Sequence, residues 1–293
     1  MQQDKSMSSR LFDVMNYGLL AIIALVMILP FIHVVAGSFT TAEEMAARQF
    51  VVFPTVFSLN AYKYIFSTNT ILRSLGVSIG VTSVGTVISM FLTALMAYGL
   101  TRRDLDGRKV IMFMVVFTML FHGGLIPTFI TVKNMGLIDS YFALIIPTAI
   151  NAFNLIIMRN FFQNIPEGLE ESAKMDGCSD WGILFLIVLP LSMPAIATIS
   201  LFYAVTYWNT YLSAILYLND NAKWPVQIIL RQIVILASGL SADSSGFDDG
   251  YAAPPEQTIK MAVIVVATIP VLIVYPFLQK HFAKGALLGS IKG

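Results

Sequence analysis

The sequence predicts an all-α membrane protein with six transmembrane helices, on three observations. Of its 293 residues, 57% are hydrophobic and only 12% are charged, whereas a soluble domain carries about a quarter charged residues. Mean hydropathy is +0.76. Six apolar stretches, at residues 15–39, 74–100, 110–132, 143–161, 183–216 and 259–278, each approach or exceed the roughly 20 residues a helix needs to cross the hydrocarbon. Such runs are too long and unbroken to be the alternating strands of a β-barrel.

Each element follows in order. The head, with Lys5 and Arg10, has the look of a signal peptide, but its apolar run exceeds the ~7–15 residues of a signal core. An uncleaved first span is expected. Residues 40–73 carry Phe53-Pro54-Thr55 and Asn60-Ala61-Tyr62 and predict an outer loop with short surface helices. Gly76, Gly80 and Gly85 in the second span permit close helix approach, which ordinary packing explains. Gly123-Gly124 and Pro127 predict an interrupted helix and an interfacial segment before the fourth span. Residues 219–257, rich in Gly, Ser and Asp, predict a second outer loop in contact with solvent. No internal repeat is visible, so residues 1–293 read as one transmembrane domain without duplicated halves.

Orientation follows from Lys and Arg in the short loops. Placing the N-terminus in the cytoplasm puts Arg102, Arg103, Arg108, Lys109, Arg159, Lys174, Lys280, Lys284 and Lys292 inside with Lys5 and Arg10. Arg48, Lys63, Arg73, Lys133, Lys223, Arg231 and Lys260 then lie outside. Both termini are expected in the cytoplasm. The single cysteine, Cys178, can form no internal disulfide.

Absent chemistry also discriminates. The predicted spans contain no Asp or Glu, which disfavours a proton- or sodium-coupled carrier, because coupling ions need an intramembrane carboxylate. His33 and His122 read as hydrogen-bonded structural residues. The tail Gly289-Ser290-Ile291-Lys292-Gly293 lacks the spacing of a phosphate-cradling loop, and no His/Cys cluster suggests a metal. The chain is expected not to be an enzyme. If it pumps, a partner supplies the energy.

One loop, residues 163–182, is distinctive. Asn164 is a candidate N-cap and Pro166 suits a first helical turn. Glu167, Glu170 and Glu171 lie where the helix dipole favours anions. Asp176 ends the polar face, and Gly177 can adopt the left-handed conformation that stops a helix. Ile165, Leu169, Ala173 and Met175 can form an apolar stripe. Local physics fits an ordinary amphipathic loop helix equally well.

The spacing breaks the tie. Glu171, Ser172, Ala173, then Gly177, Ile187, Leu189 and Pro190 fall on the pattern E-A-A, three residues, G, nine residues, I-x-L-P. With serine for one alanine, this resembles the docking loop of permease subunits in ATP-binding-cassette importers. Phe53-Pro54 with Asn60 and Tyr62 is similar to the first outer loop of the maltose and oligosaccharide type. Gly123-Gly124-Leu125-Ile126-Pro127 and Trp208-Asn209 look like features of one oligosaccharide branch, some of whose members carry uronates such as alginate. The tail Gly289, Lys292 and Gly293 resembles that of the smaller permease of a pair, whose C-terminus enters the ATPase dimer.

The resemblance implies a type I ABC importer permease fold in a bacterial inner membrane, transporting an oligosaccharide by alternating access. It implies a second homologous permease, two ATPase subunits and an extracytoplasmic solute-binding protein, with no nucleic acid. ATP and Mg²⁺ would sit on the ATPases, and this chain would hold no cofactor. Glu167, Glu170, Glu171, Ser172, Ala173, Asp176, Gly177 and Pro190 would couple it to an ATPase. Candidates for the sugar pathway are Asn151 and Asn154 in span four, with Tyr203, Tyr207, Trp208, Asn209 and Tyr211 in span five. Three of those tyrosines recur at i, i+4, i+8 on one predicted helical face, although aromatics near a span end also form the interfacial belt. Import of a peptide or amino acid, and ion-coupled carriage, are the competing readings.

Overall fold

The computed structural model describes residues 7–48, 50–67, 69–237 and 257–289, and among them there is no strand. The chain groups into two compact units, residues 1–69 with 230–269, and residues 70–229 with 270–293. In chain order the helices are α1 (Met7–Ser38), α2 (Ala42–Ala47), α3 (Asn60–Ser67), α4 (Asn69–Thr101), α5 (Arg108–Leu120), α6 (Leu125–Asn134), α7 (Phe142–Ile145) and α8 (Ala152–Gln163). They continue as α9 (Glu167–Met175), α10 (Asp180–Ile183), α11 (Leu189–Leu191), α12 (Met193–Trp208), α13 (Leu212–Tyr217), α14 (Val226–Ala237) and α15 (Gln257–Gly289).

Helices α1 and α4, with residues 257–274 of α15, are continuous and apolar enough to span a membrane. The predicted fourth and fifth spans are bent pairs. Residues 142–148 meet α8 at 55°, and residues 180–191 meet α12 at 84°. The predicted third span, 110–132, is not one helix. It divides into α5 and α6, because Gly124 adopts φ +87, a conformation glycine takes without strain and a helix cannot contain. Among the described residues three spans are thus continuous, two are bent, and the third is interrupted at Gly124, as Gly123, Gly124 and Pro127 predict. The predicted loop at 219–257 is also corrected: its first part holds α14, whose Val226, Ile228, Ile229 and Ile233 are buried. The polar composition that suggested a loop comes from residues 238–256, which lie outside the described residues.

In the first unit, the segment between α1 and α3 is tied down by its own side chains. His33 Nδ1 lies 3.1 Å from both the amide nitrogen and the carbonyl oxygen of Val51, and its ring stacks on Phe50. Glu44 accepts the amides of Thr55 and Val56 at 3.0–3.2 Å. Those bonds, above all Thr55's, hold its carboxyl below the usual range. His33 is thus a structural histidine, as expected. The second unit has its core where α4, α8 and α12 meet, with Leu155, Met158, Ile183, Ile199, Tyr203 and Tyr207 all buried.

Candidate functional site

Helix α9 forms where the sequence places a docking helix, with one shift. Asn164 does not cap it. Its N–H bonds the carbonyls of Phe161 and Phe162 and closes α8, and Pro166 takes the N-cap of α9 with φ −58 and ψ 129. The cause is local: Ile165 precedes a proline and is pushed out of the helical region, so neither helix can run through it. At the other end Gly177 adopts φ +80. Its N–H bonds Lys174 O at 3.0 Å, and the Cys178 N–H bonds Ala173 O at 2.9 Å, the two-bond closure that a left-handed glycine permits. The Asp176 N–H bonds the carbonyls of Ser172 and Lys174.

The faces of α9 have distinct surroundings. Ile165, just before it, and Ala173 pack against the core of the unit. Leu169 and Met175, expected on the same stripe, point outward, and Met175 is 86% exposed. Two positions beyond Ala173 is about 200° of helical rotation, which turns Met175 away from the core. Ser172 donates its hydroxyl to Gly168 O at 2.7 Å, so it occupies the alanine position without demanding an outside partner. Glu171 is exposed.

The helix is seated by charge. Arg102, immediately after α4, makes a two-pronged bond to Glu170: Nη2 donates to Oε1 at 2.9 Å and Nη1 to Oε2. The guanidinium also lies 4.0 Å over the Tyr98 ring. Burial disfavours the Arg102 charge, but the hydrogen bond and charge of Glu170 outweigh it and raise its pKa above the ordinary value. Beside it, Arg103 pairs with Glu167 at 2.5 Å. A cavity of about 490 Å³ opens between the two segments, lined by Arg102, Arg103, Arg108, Glu167, Glu171 and Lys174 among others.

Downstream, Pro190 sits in α11 just after a π-helical turn, residues 184–188, in which the Leu189 N–H reaches back to Leu184 O. Proline has no N–H for the carbonyl four residues before it, and a widened turn absorbs that gap. The 84° bend follows at Ser192, whose hydroxyl is buried without a hydrogen-bond partner.

The pathway candidates divide by exposure. Tyr203 and Tyr207 are each 2% exposed. The Tyr203 hydroxyl bonds Thr93 Oγ1 at 2.7 Å and accepts the Asn151 N–H at 3.0 Å. The Tyr207 hydroxyl bonds Ser89 Oγ at 2.7 Å. Asn151 caps α8 by accepting the Asn154 N–H at 3.2 Å, and Asn154 is buried. Trp208 is buried, whereas Asn209 is exposed and donates Nδ2 to Val205 O at 2.9 Å. Because α12 stops at Trp208, Tyr211 does not continue the face of Tyr203 and Tyr207. Gly289 ends α15, and Lys292 and Gly293 lie outside the described residues. Among the described residues no group of three or more His, Cys, Asp or Glu could hold a metal ion.

Residues 85–287 match the family described as binding-protein-dependent transport system inner membrane component. The chain belongs to this family. It is a multi-pass inner-membrane permease subunit and not an enzyme. Over 287 residues it is 70% identical to the polygalacturonan/rhamnogalacturonan transport system permease protein YtcP of Bacillus subtilis (strain 168), covering 98% of this chain and 100% of that one. It is 57% identical to protein LplC of the same organism, covering 98% of this chain and 96% of that one. Among solved structures it is similar to a chain of a bacterial ABC transporter involved in the import of the acidic polysaccharide alginate. That match has a TM-score of 0.86 and 34% identity, over 96% of this chain and 100% of that one.

In this permease, sequence reading passed over Arg102 and Arg103 as anything but orientation signals. The signal that could have found them is the matching of two adjacent arginines to Glu167 and Glu170, one helical turn apart. Arg102 and Glu170 are 68 positions apart in the chain, and Arg103 and Glu167 are 64, so no local pattern joins them.

Proposed function

We propose that this permease belongs to an ATP-driven importer of uronate-containing oligosaccharides, with α9 as its contact to a cytoplasmic ATPase. The observation that carries the cargo is full-length 70% identity to a polygalacturonan/rhamnogalacturonan permease. Likeness to a chain of the alginate importer supports the acidic class. A second permease and two ATPases complete the assembly, and a solute-binding protein delivers the sugar.

The exposed face of α9 supports the docking role. Met175, Leu169 and Glu171 are free of this chain's own core and suit a cleft on another protein, whereas Glu170 is engaged internally. Closure of the ATPases on ATP would move α9, and the turn at Pro190 and bend at Ser192 would redirect the movement into α12. In the sugar path, Asn151 and Asn209 are the exposed amides, and buried Tyr203 and Tyr207 hold α12 in place behind them.

The test is the reconstituted assembly with its binding protein. Uptake of oligogalacturonides driven by ATP, with neutral oligosaccharides of equal length excluded, is expected, and the reverse preference rejects the cargo. Glu171→Lys should lower substrate-stimulated ATP hydrolysis and uptake by at least tenfold while membrane insertion persists. Unchanged coupling would reject the docking assignment.

A further inference from the structure

Helix α9 has two physical routes to α12. One is covalent, through α10, the π-helical turn and the 84° bend at Ser192. A route interrupted by a widened turn and a sharp bend is a compliant one. The other is non-covalent and has no break in its helix. It begins at the two-pronged bond between Glu170 and Arg102, whose planar fork fixes direction as well as distance.

Arg102 is not a loose surface side chain. Its Cζ sits 4.0 Å from the Tyr98 ring centroid, one helical turn back along α4. The last carbonyls of α4, which a helix leaves without internal donors, are all taken: Tyr98 O accepts the Thr101 hydroxyl at 2.6 Å and Gly99 O accepts the Arg102 N–H at 3.2 Å. Arg159 Nε donates to Leu100 O at 3.1 Å, and Arg108 Nη1 donates to Thr101 O at 3.4 Å and Arg102 O at 3.2 Å. The end of α4 is therefore a locked body, and Glu170 is fastened to it.

Further along, α4 is fastened to α12. Thr93 bonds Tyr203 and Ser89 bonds Tyr207, each at 2.7 Å. At Gly85 the helix comes so close that an added Cβ would lie 2.9 Å from the Tyr207 ring. Helix α4 thus ties α9 to α12 while bypassing the bend.

We infer that Arg102 is a positioning residue that carries displacement of the docking helix through α4 into α12, with Glu170 as its grip on α9. This rests on the reading of α9 as the ATPase contact. Glu170 then serves the permease's own transmission, and Glu171 and Met175 serve the ATPase.

The experiment uses the complete assembly in lipid, with co-purification of the ATPase subunits, substrate-stimulated ATP hydrolysis and oligogalacturonide uptake measured together. Arg102→Ala should retain the ATPase subunits yet lower sugar transported per ATP hydrolysed by at least tenfold. Arg102→Lys, which keeps charge but loses the fork, should fall in between. The exchanged pair, Arg102→Glu with Glu170→Arg, should recover at least a third of the wild-type ratio, whereas a merely structural role would lower the yield of complex and leave the ratio of the assembled complex unchanged in every variant. A wild-type transport-to-ATP ratio in Arg102→Ala overturns the inference. If that variant fails to accumulate, the near-isosteric Glu170→Gln decides, and an unchanged ratio there overturns it equally. Failure of the docking reading is separate: it shows as wild-type ATPase subunits that do not crosslink to the Glu171→Cys variant in a Cys178→Ser background.

Discussion

The two fastenings of α4 in the second unit use opposite chemistry. At its end, Arg102 and Glu170 join α9 by full charges. Along its length, Ser89 and Thr93 join α12 through neutral tyrosine hydroxyls. The difference teaches what each environment allows. An ion costs several kcal/mol to bury in hydrocarbon, so a seam inside the membrane-length part of α4 uses groups that carry no charge. Beyond the helix end, water and the polar loops solvate the ions, and an arginine fork can supply direction and strength together. Even there, burial separates the two ion pairs. The Arg102 and Glu170 side chains are 20% and 21% exposed, whereas those of Arg103 and Glu167 are 81% and 64% exposed.

That contrast can be broken by substitution. The largest loss is expected from Arg102→Ala, about 2–3 kcal/mol, because it leaves a half-buried Glu170 carboxylate without its charged hydrogen-bond partner. A fall in the melting temperature of the purified permease complex measures it. Gly85→Val comes next. The new side chain would strike the Tyr207 ring, and overpacking of this kind costs about 1–3 kcal/mol. Normal membrane yield and an unchanged melt would mean that α4 and α12 can separate freely. Tyr203→Phe removes the hydroxyl shared by Thr93 and Asn151, for about 1 kcal/mol, and a double-mutant cycle with Thr93→Val should show coupling between the two sites. Smallest is Arg103→Ala, under about 1 kcal/mol. If its effect on the melt equalled that of Arg102→Ala, burial would not be what distinguishes the pairs.

Sequence reading succeeded where one stretch of chain carries the whole cause. The stop of α9 at Gly177 was legible because only glycine enters that left-handed turn without strain, and the start near Pro166 because proline tolerates a missing donor there. The error over Asn164 arose between two helices only a few residues apart, where either could claim the cap and the proline's effect on Ile165 decided. The expected tyrosine face over positions 203, 207 and 211 assumed a helix that continues, but α12 ends at Trp208. The polar reading of the 219–257 loop averaged an apolar helix together with the residues after it.

Membrane class followed from composition alone, since burial in lipid demands long apolar helices, and the stop of α9 followed from its glycine, since a left-handed turn favours that residue. The seating of α9 on Arg102, the hydroxyl seam between α4 and α12, and the bond from the Asn151 N–H to the buried Tyr203 hydroxyl came only with the tertiary structure. Each depends on residues between 52 and 118 positions apart. At such separations no periodicity links the partners, and only the packed geometry of the helices brings them within hydrogen-bonding reach.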